Sequence, residues 1–267
     1  MSDRIGFIGA GNMAGAILEG ILKQQLSAPS QLAIYDFDKS KYNSFTSRGI
    51  NSHASISQLA QNCNIIFLSV KPQNYEDVLL QLKPFVDESK ILVSIAAGIS
   101  STYIKLYIGF ECKVVRVMPN TPLLLGVGAT AICKCPPVCD SEFEKIVDIF
   151  KSGGIVEVLP EDKMNAIIAV NGSSPAYVYL FAKAVIDGAV KLGIDAQTAK
   201  TLICKTLEGS AKMLTNSGME PEELIKMVSS PGGTTLKALE ALYEHGFEES
   251  IKDAMKRCTE RAEELGR

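Results

Sequence analysis

Three groups of residues in this 267-residue chain have types and spacing that could do chemistry: a glycine-rich turn near the start, a carboxylate closing the next apolar run, and a late turn of serines, glycines and threonines. The first is Gly9-x-Gly11-x-x-Ala14, preceded by the apolar Ile5, Phe7 and Ile8 and followed by an amphipathic stretch. Gly9 permits a tight turn, Gly11 lets a pyrophosphate approach the backbone, and the small Ala14 lets a helix lie close to the strand before it. The free N–H groups at the start of that helix then face the anion. Glycine-rich turns also occur for backbone geometry alone, but the position directly between a strand and a helix favours the phosphate cradle of a Rossmann first turn.

The carboxylate is Asp36, at the end of Leu32-Ala-Ile-Tyr35-Asp36, where such a fold hydrogen-bonds the adenosine ribose. A carboxylate there repels a 2′-phosphate and no arginine follows until Arg48, which favours NAD(H) over NADP(H). Lys39 and Lys41 could still reach a 2′-phosphate, so the choice of cofactor stays open. Four further stretches fall at the carboxyl ends of expected strands or in Gly/Pro loops, where open α/β sheets bind ligands. They are Ser69-Val70-Lys71-Pro72, Ala96-Ala97-Gly98, Met118-Pro119-Asn120-Thr121-Pro122 and Gly172-Ser173-Ser174-Pro175-Ala176-Tyr177. The late turn is Ser229-Ser230-Pro231-Gly232-Gly233-Thr234-Thr235. Its Pro-Gly-Gly cannot continue a helix, and the threonines open the next one with exposed N–H groups, so it either holds a carboxylate or is an ordinary N-cap.

The elements that position these groups follow from periodicity. Expected strands at Leu32–Asp36, Ile65–Val70, Ile91–Ile95, Lys113–Val117, Ala129–Cys133 and Ile155–Val158 alternate with helices, among them Lys39–Arg48, Tyr75–Leu82, Ser101–Tyr107 and Ser141–Lys151. Ile65–Val70 is a continuous apolar run, as expected where helices cover both faces of a parallel sheet. This pattern predicts a doubly wound Rossmann-like parallel sheet over residues 1–160. From Glu161 strand signals vanish, and helices are expected at 162–170, 176–192, 196–214, 222–228, 235–243 and 248–265, so residues 161–267 form an all-helical second domain. Asp195 is a plausible N-cap. The helix from Ala176 to Leu192 is apolar nearly all round, which is most easily satisfied by burial against a second subunit.

Composition narrows the classes further. The formal charge of 27 minus 30, or −3, provides no basic field for nucleic acid. No apolar run approaches about 18 residues, so no membrane span is expected. The seven cysteines are scattered and odd in number, and the chain enters its first strand without a secretory h-region, which predicts the reducing cytoplasm. Cys133, Cys135 and Cys139 lack the spacing of a metal clip and no fourth ligand is near, so no metal is expected.

Gly9-Ala-Gly-Asn-Met13, Val70-Lys-Pro72, Ala96-Ala-Gly98, Met118-Pro-Asn-Thr-Pro122, Gly172-Ser-Ser-Pro-Ala-Tyr177 and Ser229-Ser-Pro-Gly-Gly-Thr-Thr235 occur in the order seen in pyrroline-5-carboxylate reductases, which the chain resembles over nearly its whole length. The resemblance implies hydride transfer from NAD(P)H to the C=N bond of Δ1-pyrroline-5-carboxylate, giving L-proline, the last step of proline biosynthesis. It implies a helical domain that forms an interlocked homodimer, with dimers assembling into larger rings such as decamers. By the same resemblance, Ser230, Gly232, Gly233, Thr234 and Thr235 hold the substrate, with the Thr235 hydroxyl near the ring nitrogen as the catalytic group. Gly9, Gly11, Asn12, Met13, Asp36, Ser69, Val70, Lys71, Pro72, Ala97, Asn120 and Thr121 are the cofactor-binding positions. Two departures stand out: Ser174 replaces a usual glycine, and Ile56 stands where the family often has an asparagine that touches the adenosine ribose.

The chemistry is coherent with these residues. Hydride attack on a protonated imine needs little acid catalysis beyond a hydroxyl or water, so positioning and electrostatics carry the acceleration. A chain whose only histidines are His53 and His245 suits that reaction. Two alternatives remain: a β-hydroxyacid-type dehydrogenase of similar build, relying on Lys163 or Asn165, and a non-catalytic NAD(P)-sensing protein, to which Ser174 lends weight.

Overall fold

A computed structural model describes residues 3–266. The first unit holds eight strands: β1 (Ile5–Ile8), β2 (Leu32–Tyr35), β3 (Asn51–Ser52), β4 (Ile65–Leu68), β5 (Ile91–Ser94), β6 (Lys113–Met118), β7 (Gly128–Cys135) and β8 (Gly154–Val158). They form one sheet in the order β3-β2-β1-β4-β5-β6-β7-β8. Strand β1 lies between β2 and β4, in register Phe7 with Ile34 on one side and Phe67 on the other, both pairings parallel. The chain thus winds outward in both directions from β1, and the point where strand order reverses opens a crevice at the carboxyl ends of β1 and β4.

Helices α1 (Asn12–Lys23), α2 (Asn43–Thr46), α3 (Ile56–Asn62), α4 (Tyr75–Leu82), α5 (Ser101–Ile108) and α6 (Asp140–Lys151) connect these strands. Alternation along each strand feeds two cores. Phe7, Ile34 and Phe67 join Ile17, Leu18 and Ile21 of α1 and Phe150 of α6 on one face. Ile8, Ile66 and Leu68 join Leu59 of α3 and Tyr75 and Leu79 of α4 on the other. The rings of Phe7 and Phe67 stack at 4.4 Å between centroids, which locks β1 beside β4 under the glycine turn.

Two stretches differ from the sequence reading. β7 runs antiparallel to β6, because residues 119–127 between them are too few for a crossover helix and the chain must turn back. The stretch expected as one helix from Lys39 to Arg48 is a 3₁₀ turn at Lys39–Lys41 followed by the short α2.

By contacts the chain divides into one unit running through Ser173 and rejoined by the chain from Lys256, and a second unit from Ser174 to Met255. Between β8 and the second unit the helical stretch expected at 162–170 is a 3₁₀ turn (Glu161–Lys163) and then a π-helix (Ile168–Gly172), closed by Ser173 N donating to Ile168 O at 2.8 Å. The widened turn lets Asn171 Nδ2 donate to the carbonyls of Met118 at 2.7 Å and Ala129 at 3.1 Å.

The second unit contains α7 (Ser174–Lys191), α8 (Ala196–Asn216), α9 (Pro221–Met227), α10 (Thr234–Glu244) and the first part of α11 (Phe247–Leu265), which continues through Lys256. Asp195 caps α8, accepting from Thr198 N at 2.9 Å. Within one chain α7 has no buried residue, and Leu180 is 68% exposed despite the helix being apolar nearly all round. An apolar helix left open in this way lacks a partner surface.

Candidate active site

The turn after β1 is fixed by sterics. Gly9 has φ +99°, and a Cβ there would stand 2.6 Å from the Ser69 carbonyl oxygen and 3.1 Å from Val70 N. Gly9 N donates to Tyr35 O and Ser69 N to Ile8 O, both at 2.8 Å, so the carboxyl ends of β1, β2 and β4 are tied at this point. Gly11 is the N-cap of α1 and offers no side-chain cap, and a Cβ there would meet only open space. The first N–H groups of α1 therefore have no side-chain cap to take them up, an arrangement suited to a phosphate. Asn12 and Met13 are the first helical residues, Asn12 exposed and Met13 partly buried against the core, and Ala14 is buried.

A cavity of about 740 Å³ opens above this turn. It brings together Gly9, Gly11, Asp36, Ser69, Val70 and Lys71 of the expected cofactor positions, with Ile56 also in its wall. Ser69 Oγ is buried and, among the described residues, has no hydrogen-bond partner. An orphaned hydroxyl beside an uncapped helix start and a glycine cradle fits a bound dinucleotide. The sequence reading missed the far wall, built from Phe37 and from Gln73, Asn74, Asp77, Val78 and Gln81 on or before α4. The single signal was the amphipathic spacing of α4, whose other face carries Leu79 and Leu82 into the core.

Other expected cofactor residues lie outside this cavity's wall. Pro72 opens a 3₁₀ turn that leads into α4. Ala97 is half-buried against the second core, and a Cβ on its neighbour Gly98 would overlap the Ala262 carbonyl of α11, so that loop seats the end of the last helix. Asn120 is buried and its Oδ1 accepts from Ala129 N at 2.9 Å, holding the turn between β6 and β7, while Thr121 begins an exposed 3₁₀ turn.

The substrate-loop residues form a compact turn in the second unit. Gly233 N donates to Ser230 O at 2.9 Å, Gly232 has φ +69°, and Gly233 is the N-cap of α10 without a side-chain cap. A Cβ on Gly233 would press on Ser230 Oγ at 2.6 Å. Thr234 is exposed and Thr235 half-buried as the first two residues of α10, so free N–H groups and hydroxyls are offered together. Ser174 is the first residue of α7. Lys163 is exposed and paired with Asp162 at 3.0 Å.

A buried ionic network in the first unit was unforeseen from sequence. Arg116 of β6 is 5% exposed, and donates to Glu161 Oε1 and Asn165 Oδ1, each at 3.1 Å. Glu161 also accepts from Ser101 N at 2.7 Å and Ser101 Oγ at 2.6 Å, capping α5. Burial pushes the Glu161 carboxyl up, but the Ser101 hydrogen bonds and the Arg116 charge outweigh it and hold the group below its ordinary value. Cys135 Sγ lies 3.6 Å from Glu161, Cys133 is buried beside it, and Cys139 is the exposed N-cap of α6. Among the described residues no cluster of metal-ligating side chains occurs.

Known proteins show the same build. Residues 161–265 match the family described as pyrroline-5-carboxylate reductase dimerisation, and residues 4–98 match the family described as NADP oxidoreductase coenzyme F420-dependent. The pyrroline-5-carboxylate reductase of Escherichia coli K12 is 36% identical, over 100% of both chains. The crystal structure of the Plasmodium falciparum pyrroline carboxylate reductase with NADP bound superposes at a TM-score of 0.92, with 33% identity over 100% of this chain and 99% of that one. The 1-pyrroline-5-carboxylate reductase of Streptococcus pyogenes gives a TM-score of 0.90, with 30% identity over 98% of each.

Proposed function

This chain belongs to the pyrroline-5-carboxylate reductase family, and we propose that it reduces Δ1-pyrroline-5-carboxylate to L-proline with NAD(P)H. The observation that carries the cofactor half of this reading is the turn at Gly9, where a Cβ would collide with backbone while Gly11 and the uncapped start of α1 stand open to the cavity. When bound, the reduced nicotinamide supplies a hydride to the imine carbon.

The chain's own residues bind and orient. The α1 N-terminus, with Gly11, Asn12 and Met13, takes the pyrophosphate, and Ser69, Val70 and Lys71 border it from the end of β4, with Pro72 opening the turn that follows. Ala97, Asn120 and Thr121 shape the loops on the nicotinamide side, Asn120 by bracing β7. Ser230, Gly232, Gly233 and Thr234 receive the substrate carboxylate at the start of α10, and Thr235 presents its hydroxyl to the ring nitrogen. No histidine or lysine base is required for this reaction.

Residues 1–160 are read as the dinucleotide-binding part and 161–267 as the dimerisation and substrate part, a division that the dimerisation match from residue 161 supports. The chain self-associates through this region, and the open apolar face of α7 supports a homodimer whose subunits cover one another's helices. Assembly of such dimers into a larger ring, such as a decamer, extends this reading. No described helix is long and apolar enough to cross a membrane, and the unpaired cysteines suit a cytoplasmic enzyme.

The test is loss of reduced-nicotinamide absorbance when the full chain meets pyrroline-5-carboxylate with NADPH, and separately with NADH. Turnover is expected with at least one. Binding of both cofactors without oxidation of either overturns the reading in favour of a nucleotide sensor. Turnover of a β-hydroxy acid that is lost on Lys163→Ala and spared on Thr235→Ala overturns it in favour of the dehydrogenase.

A further inference from the structure

We propose that Lys41 reads the 2′-phosphate of the cofactor's adenosine half, and that Asp36 positions Lys41 instead of serving as an acceptor for the ribose hydroxyls. The proposal rests on the cavity at Gly9 being the NAD(P)H site.

The Asp36 carboxylate is already spent. Its Oδ2 accepts from Ala10 N at 2.8 Å and from Lys41 Nζ at 3.0 Å, and its Oδ1 accepts from Asp38 N at 2.9 Å. It is 5% exposed, with three donors already on its two oxygens. With three of its roughly four acceptor sites taken, this carboxylate has little left to offer a pair of ribose hydroxyls.

Lys41 is the opposite case. Its side chain is 36% exposed, it lines the same cavity, and an ammonium has three donors of which Asp36 takes one. Its position is built twice over. Asp36 holds the ammonium, while the Tyr42 hydroxyl next along the chain accepts from Asp36 N at 3.2 Å and lies 3.0 Å from both the Asp36 and the His53 carbonyls. The turn bearing Lys41 is thereby pinned between the ends of β2 and β3. The ammonium sits 5.5 Å from the centre of the Phe37 ring, which is 81% exposed and also lines the cavity. A flat ring for a purine beside a held cation matches an adenosine 2′-phosphate. Lys71 and Asp77, the other charged groups of this wall, come from the β4 end and α4, away from the β2 turn.

The experiment measures binding of 2′,5′-ADP and 5′-AMP to the full chain by calorimetry, which reads the 2′-phosphate without any hydride chemistry. A charge-assisted contact of this kind is worth about ten- to a hundredfold. Wild type is expected to prefer 2′,5′-ADP by that margin. Lys41→Met removes the preference and leaves 5′-AMP nearly unchanged, Lys41→Arg retains it, and Lys39→Met does not alter it. Asp36→Asn weakens 2′,5′-ADP; if Asp36 were a ribose acceptor, that substitution would weaken 5′-AMP and tighten 2′,5′-ADP, which overturns the proposal. Equal binding of the two nucleotides by wild type, or a preference that survives Lys41→Met, also overturns it while leaving the reductase reading intact. Failure of both nucleotides to bind refutes the cofactor cavity itself.

Discussion

Removing Arg116 and Glu161 together is expected to cost less than the two separate costs added. Arg116→Met keeps an apolar stem in the space beneath β6 but leaves Glu161 without its counter-charge. Deleting one partner of a buried pair costs about 3–5 kcal/mol. The Glu161 side chain is 34% exposed and keeps both Ser101 donors, so water and α5 recover part of that, and about 2 kcal/mol is expected. Glu161→Gln is the worse change, about 3 kcal/mol, because the Arg116 side chain, 6% exposed, then stays charged and unpaired. The double variant should fall short of the sum by about 1–2 kcal/mol. Urea unfolding followed by far-ultraviolet circular dichroism at one fixed protomer concentration measures this, since the chain has no tryptophan. The acid limb gives an independent sign. The folded Glu161 carboxyl lies below its ordinary value of 4.5, so its contribution is complete above that pH and is lost as pH falls through the folded value. Wild type should therefore lose more stability below about pH 4.5 than Glu161→Gln does. Additive single costs, or identical acid limbs, would show that the two groups do not act as a pair.

Three further outcomes test the site. Gly9→Ala places a Cβ against the Ser69 backbone at φ +99°, and should cost about 2–4 kcal/mol in thermal melting and weaken NADPH more than about tenfold by calorimetry; binding within twofold of wild type would refute the steric account. Thr235→Ala should lower kcat about ten- to a hundredfold with cofactor affinity unchanged, and Thr235→Ser should restore most of it, as steady-state kinetics will show. Leu180→Glu puts a charge on the open face of α7 and should shift the chain to a smaller species in light scattering; an unchanged mass would place the self-association surface elsewhere.

The parts of this protein that could be read from its sequence are those whose cause is local. Gly9 must be glycine because of its own φ and its approach to Ser69, and an apolar run followed by that glycine already states both conditions. Buried parallel strands such as Ile65–Leu68 announce themselves because each residue faces a core on one side or the other. Even the reversal of β7 follows from the nine-residue link at 119–127, once link length is weighed alongside strand pattern. Arg116 and Glu161 are another matter, separated by 45 positions, with no periodicity joining them. The one sign was a charge set among valines in Lys113–Met118, which in a covered strand demands a partner the sequence cannot name. Asp36 shows the consequence for function. Its identity and place after β2 were legible; the donors that reach it in the folded chain, Ala10 N, Asp38 N and Lys41 Nζ, were not. Backbone requirements such as that of Gly9 are written locally in the sequence, whereas the competition among neighbouring polar groups for one carboxylate exists only once the chain has folded.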